Sequence, residues 1–148
     1  MAARTTAIME QIRATLASVG GLTGNGQVVV GEPTPTQLPN LSAVLYLSLG
    51  GLESSVEGPL GHYRREATFE IEAYVRPSAQ TAQARTAAAV DLLDDVMAAL
   101  EADRSLGGQV IDIIISGVAA PGQGSRASWG IVAAQVVAYW HAASGEGL

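Results

Sequence analysis

Between residues 62 and 76 the chain reads HYRREATFEIEAYVR and alternates between apolar and polar side chains. Tyr63, Ala67, Phe69, Ile71, Ala73 and Val75 share one face, with Arg65 interrupting the row near its start. His62, Arg64, Glu66, Thr68, Glu70 and Glu72 share the other. A period of two with this contrast predicts a long strand, dry on one side and wet on the other. LSAVLYLSL at 41–49 predicts another strand, with Ala43, Leu45, Leu47 and Leu49 aligned. Two further strands, 109–118 and 129–141, are apolar on both faces. The first has Ile111, Ile113 and Ile115 on one side and Val110, Ile114 and Val118 on the other. The second has Val132, Ala134, Val136, Ala138 and Trp140 opposite Ile131, Val137 and Tyr139.

The period changes in two places. Ile8, Ile12, Leu16 and Val19 recur at helical spacing over 6–19, with Thr5 or Thr6 as a cap and Gly20-Gly21 as a stop. A second helix is expected from Pro77-Ser78 to about Asp103. Its stripe is Ala82, Arg85, Ala89, Leu92, Leu93, Val96 and Leu100, followed by Gly107-Gly108. QVVVG at 27–31 is a short strand or an extended edge. EPTPTQLPN after it carries three prolines in nine residues, which rules out regular structure. The segment 50–61 is expected to be a mobile, exposed loop and 144–148 a disordered tail. The order α-β-β-α-β-β implies an α+β fold. Two helices would pack on one face of a mainly antiparallel four-stranded sheet, in a single domain over residues 1–148.

Composition narrows the chemistry. The chain has 148 residues, no cysteine and a net charge of −6, and all eight of its basic residues are arginine. Thiolate nucleophiles, disulfides, Schiff-base lysines and the phosphate-loop lysine are therefore excluded. The acidic balance argues against general affinity for nucleic-acid backbones. The N-terminal stretch is broken by Glu10, Gln11 and Arg13 and lacks a signal peptide's apolar core. No window approaches the roughly 18 apolar residues of a membrane span. Manufacture in the cytoplasm is the expectation.

The candidate chemical groups are few. Asp91, Asp94 and Asp95 lie at helical neighbour spacing and could hold a divalent cation, yet they equally suit the solvated back of an amphipathic helix. His62 and His141 belong to no recognised catalytic spacing. Gly122, Gly124 and Ala127 match GxGxxA by letter but lead into a strand, so no helix N-terminus is there to seat a pyrophosphate. Arg64 and Arg65 could meet a phosphate or carboxylate, but Glu66, Glu70 and Glu72 follow on the same strand. No metal, cofactor or catalytic residue is expected, and the chain is read as a non-enzyme.

A collective pattern remains: a helix closing in ADRSLGGQVIDIIISGV, a Gly-rich connection, and a final strand WGIVAAQVVAYWHA, preceded by YRREATFEIEAYVR and a Pro-led helix. This resembles the tail-terminator (tail-completion, minor tail) proteins of long-tailed phages and gene transfer particles. There a helix closes on a similar D-x-x-L-x-G-x-V segment, and the last strand ends in an aromatic-rich stretch like Ala138-Tyr139-Trp140. The likeness runs from about residue 6 to 142. It implies a homo-oligomeric ring, commonly of six copies, in the virion tail. The ring would cap the tube, halt addition of the tail tube protein, and offer the surface to which the head–tail connector attaches. Genomic DNA would only pass through the lumen, and no membrane is involved. Glu66, Glu70 and Glu72 are the candidate lumen residues. Val110, Ile114, Val118, Val137 and Tyr139 are the candidate subunit contacts, covered either by the next subunit or by the Pro-rich segment 32–40. The alternatives are another head–tail joining or neck protein, and a small ferredoxin-like ligand-binding or enzymatic domain using Asp91, Asp94 and Asp95 or His62.

Overall fold

A computed structural model describes residues 4–19, 26–30, 43–56, 62–79, 81–122 and 129–143. The Gly-rich stretch 20–25, the Pro-rich segment, the GxGxxA stretch from Gln123 onward and the tail lie outside them. The described elements are α1 (Arg4–Ala17), β1 (Gly26–Val30), β2 (Ala43–Val56), β3 (His62–Val75), α2 (Ala82–Glu101), β4 (Asp112–Gly122) and β5 (Gly130–Ala143). They form an α+β fold whose sheet runs β1-β2-β3-β5-β4. Strands β2 to β5 are antiparallel, and β1 adds a fifth strand, parallel to β2.

Both helices lie on one face. Ile8, Ile12 and Leu16 of α1 and Ala89, Leu92, Leu93, Val96 and Leu100 of α2 join one buried cluster with the inward rows of the sheet. Those rows are Ala43, Leu45 and Leu47; Ala67, Phe69, Ile71 and Ala73; and Val132 to Trp140 at alternate positions. The alternation in the sequence thus marks the helix face correctly on all three long strands.

Close approach of α2 to β5 depends on one glycine. A Cβ on Gly130 would stand 2.2 Å from the Arg85 carbonyl oxygen, so no other residue fits without moving the helix. The helix starts later than Pro77. Thr81 is its N-cap in extended conformation, and its hydroxyl accepts from the Ala84 amide at 3.1 Å.

The turn after α2 is longer than the double glycine alone suggests. Leu106, Gly107 and Gly108 all have positive φ, and Leu106 is fully buried. Asp103 holds the turn, its carboxylate accepting from the Gly107 amide and the Ser105 hydroxyl. The Val110 amide donates back to the Ser105 carbonyl, so β4 begins at Asp112 rather than 109. Val110 is consequently drawn into the core, which corrects its assignment as a subunit contact.

The expected loop 50–61 is corrected over residues 50–56, while 57–61 lie outside the described residues. Residues 50–56 continue β2, paired with β3 as far as Val56 opposite Tyr63. The register shifts between Leu49 and Gly51. This extra residue reverses the phase of the strand, so that Leu49 opposite Phe69 and Leu52 opposite Ala67 both point to the helix side. A Gly-Gly pair read as a loop signal is here a bulge inside a strand.

Candidate functional site

The sheet face turned away from the helices, the open face, carries most of the charged side chains that the sheet presents. It has two zones. Where β2 and β5 begin and β3 ends, Val44, Tyr46, Tyr74 and Trp129 form a second buried cluster with Ile131 against it. The Tyr46 and Tyr74 rings meet edge to face at 5.5 Å, and the Arg76 guanidinium lies 4.9 Å from the Trp129 ring centre. Sequence reasoning does not reach this cluster, because it aligns only Ala43, Leu45, Leu47 and Leu49 of β2 and leaves Val44 and Tyr46 on the opposite side without an assignment.

The remainder of the face is polar and built in cross-strand rows. Glu66 stands between Glu53 and Tyr139, Glu70 between Ser48 and Gln135, and Glu72 between Tyr46 and Ala133. The three glutamates therefore share one face, as the alternation predicts, but their surroundings differ. Glu66 pairs with Arg64 at 3.1 Å, and that guanidinium stacks 4.6 Å over Tyr139. Glu72 accepts the Tyr74 hydroxyl at 2.9 Å at the border of the aromatic zone. Glu70 is the most exposed, its side chain lying over Gly50. Glu53 joins them from β2, facing Glu66 directly; it was missed because its segment was read as a loop. Glu53, Ser54, Ser55, Arg64 and Glu66 border a shallow cleft of about 360 Å³.

At the β4 edge, Asp112 and Ile114 continue the rows beside Tyr139 and Val137. Ile114 is 48% exposed, while Val137 and Tyr139 are half-buried. Arg104 donates to Asp112 at 2.7 Å and to the Ile113 carbonyl. The Arg104 hydrogen bond and the Ile113 amide hold the Asp112 carboxyl below its ordinary range. Arg104 thus ties the helix exit to β4. The side chains of Val118 and His62 lie outside those described.

The other candidates stay apart. Asp91, Asp94 and Asp95 are exposed on the outer side of α2, while His141 is exposed beside Arg64 on the sheet. Among the described residues, no group of three His, Asp or Glu side chains converges as a metal site, and no helix is long and apolar enough to cross a membrane. No protein-family model matches the chain, and no curated protein matches it either.

Proposed function

We propose that this protein is a structural ring component of a long phage tail, a tail terminator that caps the tube and receives the head. The observation that carries the reading is the open face. It gathers Glu53, Glu66, Glu70 and Glu72 on adjoining strands, beside an uncovered Ile114 at the sheet edge. A carboxylate-rich face repeated around a ring would repel the phosphate backbone and let DNA pass without adhering. Exposed apolar groups at the edge suit a protein neighbour. The sequence resemblance supplies the tail setting, and Ile114, Val137 and Tyr139 remain the subunit contacts of this proposal.

The test is direct. Added in increasing amounts to polymerising tail tube protein, the full chain should shorten the tubes seen by electron microscopy and appear at one end. Deleting its gene should yield overlong or headless tails. Unchanged tube lengths together with normal virions would refute the assignment.

A further inference from the structure

The two sheet edges carry apolar patches that point in opposite directions. At one edge, Val30 of β1 and Leu49 and Leu52 of β2 are 47%, 43% and 40% exposed. Their partners Leu47, Phe69 and Ala67 belong to the helix-side core, so this patch faces the helix side. Only the bulge at Gly50 puts Leu52 there; an unshifted register would set it opposite Glu66 on the open face. At the other edge, Ile114 of β4 and its partner Val137 face the open side. Beyond the end of β1, residues 48–56 of β2 are paired only with β3 among the described residues.

Charges of opposite sign stand near the two patches. Arg65 stands on the helix side one pair beyond Leu52, with its guanidinium 5.9 Å from the Tyr63 ring. On the open side the row that contains Val137 is flanked by Glu70 and by Glu66, the latter ion-paired with Arg64.

We propose that the helix-side patch Val30, Leu49 and Leu52 of one copy seats on Ile114 and Val137 of the next, so that neighbouring sheets overlap edge over edge. The proposal rests on the ring reading and deepens it by naming the contact. Two unlike patches, each used once per copy, make a head-to-tail contact that propagates around a ring instead of stopping at a dimer. Because the patches lie on opposite faces, the overlap keeps the same face of every sheet toward the axis. The glutamates in the middle of the open face stay uncovered.

The absence of native cysteine makes the contact testable with a short bismaleimide cross-linker on the full chain. The double variant Leu49→Cys/Ile114→Cys should give a ladder of dimers, trimers and larger species. Each single variant should stay at monomer mass on a denaturing gel. Adding Leu52→Glu to the double variant should abolish the ladder while leaving the circular dichroism spectrum and thermal midpoint near those of the parent, since Leu52 is exposed. Dimers from either single variant would show a like-with-like contact and overturn the proposal. A double variant without a ladder, in a wild-type chain that light scattering shows to be oligomeric, would overturn this contact and leave the ring reading standing. A monomer without a ladder would also overturn the contact, and the tube-capping assay would then judge the ring reading alone.

Discussion

Gly130 marks where one missing side chain decides the packing of a helix. The Arg85 carbonyl lies where a Cβ would be, and the clash is with backbone, which cannot rotate aside. Gly130→Ala should therefore lower stability by about 3 kcal/mol, the upper part of the usual overpacking range, as read from urea unfolding midpoints. Loss of less than about 0.5 kcal/mol, the scale of an ordinary surface change, would mean that α2 does not approach β5 this closely. At the same scale Val110 shows why an apolar residue near a strand is not automatically part of it. Its amide is used by the preceding turn, so the alternation of β4 does not reach it.

The elements follow local signals where those signals have no rival. The 62–75 alternation, the α2 stripe from Ala89 to Leu100 and the even-numbered face of β5 appear as expected, while Ala82, at the start of the expected stripe, is exposed. Boundaries shift where two signals compete. Pro77 can begin a helix, but Thr81 offers a side-chain acceptor for an amide that would otherwise lack a partner at the helix start. Thr81→Ala should cost about 1 kcal/mol and lower the melting temperature by roughly 2–4 °C. An unchanged thermal scan would show that the cap contributes nothing. Gly50-Gly51 similarly suggests a loop, yet pairing with the strongly patterned β3 keeps β2 extended through it, and the extra residue is absorbed as a bulge.

For the whole molecule, acid is the informative perturbation. Asp112 joins the α2 exit to the outer strand through Arg104, and its carboxyl titrates below its ordinary value. A carboxyl depressed in the folded state adds stability above its unfolded pKa, about 3.9. That contribution fades as pH falls from there through the lower folded value, where both states become protonated. Asp112→Asn should therefore be less stable than wild type at neutral pH, and the difference should shrink on acidification below about pH 4. Parallel melting curves across that range check this. A difference independent of pH would assign the effect to packing instead. Because both partners are solvent-accessible, added salt should also narrow the gap.

By itself the sequence determined the fold class, the four antiparallel strands, the two helices, the core-facing rows of both helices, of β3, of β5 and of β2 up to Leu47, and the shared face of Glu66, Glu70 and Glu72. These depend on periodicity, which short-range stereochemistry imposes on every strand and helix. Only the tertiary structure decided which strands are neighbours, that Val44 and Tyr46 are dry on the open side, and that Glu53 faces Glu66. It also decided that Leu49 and Leu52 share a side. Each of these depends on register between segments distant in the chain, and a single inserted residue at Gly50 is enough to reverse the facing of everything beyond it.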